Sequence, residues 1–202
     1  MFSIISSPNN LFERHQCEVL SNEGCLTQLA NIGWVACDQM STVAQRIGIL
    51  HAIYGPDIIV SHVGAYWVHT GKTTTELSRS LHVYRTGKQR RGKLPKKRFP
   101  EQDLVTIKSV MVTSLERTAV DLLQHDLATG IEALLNLLRQ GASYETIVCR
   151  AHHLQRVPGM KRVRELLCQL PPDIINRASS HSVAESASAQ RAEDERHPSC
   201  FQ

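Results

Sequence analysis

Nowhere in the 202 residues does an apolar run reach the roughly 18 positions that a membrane-spanning helix needs, so no transmembrane segment is expected. The N-terminal stretch MFSIISSPNNLFERH has no basic n-region, and Ser and Pro break its apolar run early, so no signal peptide is expected either. The six cysteines, Cys17, Cys25, Cys37, Cys149, Cys168 and Cys200, include no C-x-x-C pair. With no export signal, the expectation is reduced thiols in a cytoplasmic protein. A P-loop, a Rossmann fingerprint and a nucleophile elbow are all missing.

The most informative absence is local. Between Arg79 and Arg98 there is no Asp or Glu, while nine Lys or Arg crowd the same segment. Taking those nine charges from the formal net charge of +4 leaves the remainder at −5, so the pI near 8.8 reports this one segment. Arg85, Lys88, Arg90, Arg91, Lys93, Lys96, Lys97 and Arg98 are candidates to lie along a phosphate backbone, with Gly87 and Gly92 letting the loop bend. Each neutralised phosphate releases counterions, which would make such binding indifferent to sequence and steeply salt-dependent. The same composition also fits a solvated loop whose charge serves solubility.

What is present otherwise is an ordinary globular composition, 42% hydrophobic and 21% charged, enough for one medium domain with a core. Residues 1–40 are weakly patterned. From Ser41 a helix runs through VAQRIGILHAIYG, with Val43, Ile47, Leu50 and Tyr54 at helical spacing and Gly55 as its stop. Ile58-Ile59-Val60 has the look of a short buried strand, and Ser61 then caps a helix that Gly71 closes. Leu77, Leu81 and Val83 alternate in a Thr/Ser-rich segment that suggests strands, as do 103–108 and 110–113.

After Thr113 the period becomes helical. Four stripes follow: Leu115/Ala119/Leu122/Leu123, Ile131/Leu134/Leu135/Leu138, Ile147/Val148/Ala151/Leu154 and Val163/Leu166/Leu167/Leu170, the last opening with Pro158 in its first turn. The expected architecture is α+β: a small mixed or antiparallel sheet followed by a cluster of helices over residues 41–170. Residues 171–202, rich in Ser, Ala and Glu, are expected to form a solvated helix or a tail, with weak order from Ser179.

Within this frame, Thr113 followed by Glu116 fits a capping box directly after a strand, and Arg117 and Asp121 stand at i and i+4 away from the apolar stripe. Cys149 and His153 share a helix face at the same spacing, too few ligands for a structural zinc, so no metal is expected. Ser61 and His62 suggest a nucleophile and base, with His69 on the same face. A catalytic pair needs a third, orienting group, and a Ser cap beside a half-buried His is the favoured reading.

Thr113-Ser-Leu-Glu-Arg-Thr-Ala-Val-Asp-Leu resembles the T-S-x-x-R-T-x-x-D-L element of bacterial AbiEi-like proteins, the antitoxin and transcriptional-regulator side of type IV toxin–antitoxin systems. Val60-Ser-His-Val-Gly-Ala-Tyr-Trp-Val-His-Thr-Gly71 is similar to the family's S-H-x-S-A-A-x-L-H-G element, and Pro158-Gly-Met-Lys-Arg-Val-Arg to its Pro-Gly turn. Ser61, His62, Thr113, Arg117, Thr118 and Asp121 are the matching positions. The resemblance implies a non-enzymatic regulator that binds DNA, a nucleotidyltransferase-like toxin, or both, without a cofactor. The winged helix-turn-helix that precedes this region in relatives is expected to be missing or degenerate in residues 1–40. Ser182, Glu185, Ser186, Pro198 and Gln202 resemble the opening of a very-short-patch-repair-like nuclease domain that then stops, and one Glu cannot assemble the carboxylates such a site needs. The alternative is a folded remnant of a larger regulator–endonuclease-like protein with no activity of its own.

Overall fold

Short apolar triplets between turn residues become the strands of this fold, and long 3.6-period stripes become its helices. The computed structural model describes residues 4–5, 10–30, 33–86, 94–154 and 156–180. Ile58–Val60 (β4), Val83–Arg85 (β5), Leu104–Ile107 (β6) and Val110–Thr113 (β7) form a mixed sheet in the order β5-β4-β7-β6. β4 and β7 run parallel, and the outer pairings are antiparallel. Each of the two parallel strands feeds a helix: His62–Thr70 (α3) after β4, and Leu115–His125 (α4) after β7. The class is α+β, as its sequence pattern indicates.

Around this sheet stand Val43–Tyr54 (α2), Leu127–Arg139 (α5), Tyr144–His153 (α6), Met160–Gln169 (α7) and a final helix over residues 172–180 (α8). α3 lies between two cores and is apolar on nearly every side. Ala65, Trp67 and Val68 join the sheet core, while Val63 and Tyr66 join the core built from α4 to α7. A helix buried all round must let a neighbour approach its backbone closely. Gly64 provides that approach, since a Cβ there would sit 2.1 Å from the Leu81 carbonyl oxygen. Buried Arg46 closes the far end of α3 by donating to the carbonyls of Val68, Met40 and Ser41 at 3.0, 2.7 and 3.0 Å.

Residues 1–40 are more structured than their composition indicates. Ile4–Ile5 (β1), Leu11–Asn22 (α1), Leu26–Leu29 (β2) and Gly33–Ala36 (β3) build an antiparallel sheet in the order β1-β3-β2, with one helix packed on β2. The strands are too short for alternation to register. Among the described residues only one helix precedes β2, against the two that a helix-turn-helix requires.

Four further expectations change. Leu77 and Leu81 are buried by turns rather than by strands, and the strand begins only at Val83. The α4 cap is Ser114, whose hydroxyl accepts from Arg117 N at 3.2 Å, because Thr113 still belongs to β7 and bonds the Thr118 hydroxyl at 2.8 Å. Glu116 accepts from Ser143 N instead of closing a box. Pro158 lies outside α7, which starts at Met160 behind Gly159 with φ of 85°. The chain after Pro171 folds back as α8, burying Ala178 against the helical core.

Sheet and helices are joined by ions. Arg117, 7% exposed, donates from Nη1 to Asp103 Oδ2 at 2.7 Å and from Nε to Asp121 Oδ1 at 3.0 Å. Arg150 of α6 pairs with the other oxygen of Asp103 and reaches the Gln102 carbonyl at 2.6 Å. Removing the central cation leaves Asp103 with Arg150 alone and strands the buried carboxylate of Asp121, which costs about 3–5 kcal/mol. Arg117→Ala is therefore expected to lower stability by about 3 kcal/mol or more in urea denaturation, whereas an exposed i,i+4 pair would contribute about 0.5 kcal/mol. A midpoint that barely moves would show the junction to be dispensable.

Candidate functional site

The carboxyl ends of parallel strands are where an open sheet leaves a crevice. Ser61 follows β4 there, and Ser114 follows β7. Ser61 occupies the first-cap position of α3 but makes no capping hydrogen bond; its hydroxyl instead shares a 2.7 Å hydrogen bond with His62 Nδ1. His62 and His82 both adopt positive φ, 50° and 49°, a costly conformation for residues with a side chain. Their rings stack at 4.6 Å between centroids, and His125 meets His82 edge-on at 6.2 Å. His125 Nε2 also lies 2.9 Å from Glu76. His69 does not join this group, and its Nε2–H donates to the Thr113 carbonyl at 2.7 Å.

The two stacked rings, His62 and His82, are pushed towards the neutral form. Burial, then repulsion from Lys97, His82, His125 and Arg117, pushes the His62 pKa down to about 3, and burial lowers His82 and His69 as well. Ser61 is fully buried, so its hydroxyl is out of reach of a substrate in this conformation. Cys149 and His153 do share a face, with Sγ 3.6 Å from Nδ1, but among the described residues no three ligands converge on a metal position. Cys17, Cys25, Cys37, Cys149 and Cys168 are free thiols, and no helix among the described residues is long and apolar enough to cross a membrane.

The basic segment forms the other feature. β5 is an edge strand, and residues 94–100 run beside it, with Arg85 N donating to the Pro95 carbonyl at 3.0 Å. Leu94 packs on the sheet core and Phe99 lies under the Arg117 guanidinium, 5.3 Å from its centroid. The result is a cleft of about 450 Å³ lined by Ile59, Arg85, Thr86, Lys96, Lys97, Arg98 and Phe99, four cations and no acid. Lys88, Arg90, Arg91 and Lys93 lie outside the described residues. A second cleft of about 580 Å³ beside α3 and α5 offers less: its Lys72 is bonded to Asn136 Oδ1 at 2.7 Å, and Glu132 lines the same wall.

The four cations are not equivalent. Lys96 and Arg98 are exposed. Lys97 turns inward, its Nζ 5.4 Å from the Tyr84 centroid and 5.0 Å from the Phe99 centroid. Burial lowers its pKa, and the buried carboxylate of Asp121 opposes that shift. Asp121 Oδ2 has no hydrogen-bond partner among the described residues, and burial pushes its carboxyl up against the pull of Arg117 and Lys97. Sequence reading found the cations by their density. It missed Asp103, Arg150, His82 and His125, which no local spacing connects to the motif residues.

Compared with protein-family models, with curated proteins and with solved structures, the chain matches none.

The histidine stack predicts an acid-sensitive fold. A His depressed in the folded state binds fewer protons there than when unfolded, so its contribution is complete above the unfolded pKa of 6.5 and is lost progressively as pH falls from 6.5 towards about 3. Asp121, raised by burial, acts in the opposite sense and blunts the slope. The urea midpoint should therefore fall between pH 6.5 and pH 4.5, and His62→Gln should flatten that fall. Parallel pH profiles for the two proteins would rule out His62 as the source.

Proposed function

We propose that the chain is the core of an antitoxin-like transcriptional regulator, a non-catalytic protein of the cytoplasm that holds DNA by its phosphates. The observation that carries this reading is the acid-free cleft between β5 and residues 94–100, where Arg85, Lys96, Lys97 and Arg98 gather against an otherwise acidic chain. Guanidinium and ammonium groups along one edge suit a repeating anionic backbone, and no base-reading helix is needed for that mode of binding. The remaining cations of the segment, at 88, 90, 91 and 93, lie between Arg85 and Lys96 in the sequence.

Phosphate contact of this kind makes affinity nearly independent of sequence and strongly dependent on salt. Fluorescence anisotropy across a salt series should give similar affinities for unrelated duplexes. Lys96→Gln with Arg98→Gln should reduce the log–log salt slope by about two, near one per lost phosphate contact. Lys97→Gln should change the slope less than either, because its ammonium faces Tyr84 and Phe99. An unmodified protein that binds no duplex even at about 50 mM salt, where the Debye length exceeds ~10 Å, would sink the reading and favour an inactive remnant.

A further inference from the structure

Beside the basic cleft lies an aromatic one. It encloses about 230 Å³ and is walled by Tyr54 at the end of α2, the turn before β5, β5 itself and the start of the 94–100 segment. Tyr54 and Tyr84 are both half-buried there. Arg79, Ser80 and His82 bring polar groups to the same wall, and no Asp or Glu lines it among the described residues. Arg79 is exposed, and His82 Nδ1 has no hydrogen-bond partner among the described residues. Pockets that take a whole small molecule begin near about 300 Å³, so this one is sized for a single ring of something larger.

The two clefts are neighbours. Along β5, Tyr84 lines the aromatic cleft and Arg85 the basic one; along the adjoining segment, Pro95 and Lys96 divide in the same way. Lys97 and Phe99 of the basic cleft touch the Tyr84 ring, Nζ at 5.4 Å from its centroid and the Phe99 ring edge-on at 5.8 Å. A ligand with an anionic group and a flat ring one short linker apart can therefore reach both.

We infer that the paired clefts take single-stranded DNA, with a phosphate at Lys96 and Arg98 and an unpaired base against Tyr54 and Tyr84. The inference rests on the phosphate reading above and narrows it from any DNA backbone to an open strand. Single-strand binding uses this combination, a cationic groove for the backbone and aromatic faces for the bases. Every base has a π-face, so stacking needs no base-reading helix. A planar guanidinium such as that of Arg79 stacks on a base in the same manner. Bases in a duplex are already paired and stacked, and one enters such a cleft only by extrusion, which costs its pairing energy.

Fluorescence anisotropy on the full chain, at one salt concentration, compares a mixed-sequence single strand, an abasic strand of equal length and the matching duplex. The two single strands carry equal charge, so phosphate contact alone predicts equal affinity. A stacked base predicts that the intact strand binds tighter by at least about fivefold. Tyr54→Leu keeps apolar bulk on the sheet core, where Tyr54 packs, but removes the ring. It should close most of the gap and leave the duplex affinity and the salt slope unchanged, whereas Tyr54→Phe should keep the gap. Equal affinity for intact and abasic strands overturns the base cleft while duplex binding keeps the phosphate reading. A gap that survives Tyr54→Leu places the base elsewhere and overturns the site. A protein that binds none of the three probes loses both readings. If Tyr54→Leu weakens all three alike, the fold has been disturbed, and the intact-to-abasic ratio of the unmodified protein decides.

Discussion

A guanidinium withdrawn from water must be matched at each donor, and Arg117 is matched by groups from two different parts of the chain. Asp103 ends the turn that leads into β6, while Asp121 lies one turn further along α4 itself. Arg150 adds a second cation to Asp103, drawing α6 to the same point, and Ser114 N donates to the Asp103 carbonyl at 2.8 Å. Two cations and two carboxylates therefore hold β6, β7, α4 and α6 in one arrangement. Apolar packing alone would let α4 slide along the sheet. A buried ionic junction tolerates no slide, because each displaced charge would lose partners that water cannot reach to replace.

The basic cleft hangs from this junction. The Phe99 ring has both the Lys97 ammonium and the Arg117 guanidinium over it, at 5.0 and 5.3 Å from its centroid, and the Tyr84 ring meets it edge-to-face at 5.8 Å. That stack fixes residues 94–100 against the edge strand and so sets where Lys96 and Arg98 project. Lys97, drawn in beside Asp121, acts as the anchor of the segment rather than as another charge on its surface. Loss of the junction would thus be felt twice, once in the packing of sheet on helices and once in the position of the exposed cations.

How much of this the sequence discloses depends on the length of each pattern. The helices from 115 to 169 carry four apolar positions each at helical spacing, so their stripes stand out; Ala119, Leu122, Leu123, Leu134, Leu138, Ile147, Ala151, Val163 and Leu167 are buried as the stripes indicate, while Val120, Ala133, Leu137 and Met160 are buried outside them and Leu115, Ile131, Leu135, Val148, Leu154, Leu166 and Leu170 only partly so. β2 and β3 span four residues each, and their burial does not alternate, which leaves residues 1–40 without a readable period. Thr113 and Ser114 are both good caps by chemistry; only the strand register decides between them, and register is a tertiary fact. At the site, charge density locates the basic segment, but the inward turn of Lys97 depends on Tyr84, Phe99 and Asp121 meeting around it. Those residues come from three elements, and no spacing along the chain relates them.

Net charge is for the same reason a poor guide to what this surface offers a partner. Arg46, Arg117 and Arg150 are committed to carbonyls or carboxylates inside the fold, and Lys97 to two rings and the field of Asp121. Four of the chain's cations therefore contribute little to the field outside it. Asp103 and Asp121 are withdrawn in the same way, which balances part of that loss. What remains outside is uneven: Lys96 and Arg98 beside the edge strand β5 of the four-stranded sheet, and the exposed apolar residues of α1, among Glu13 and Glu18, in the small N-terminal unit. By Coulomb's law anionic groups are attracted to the first and repelled by the acids on the second.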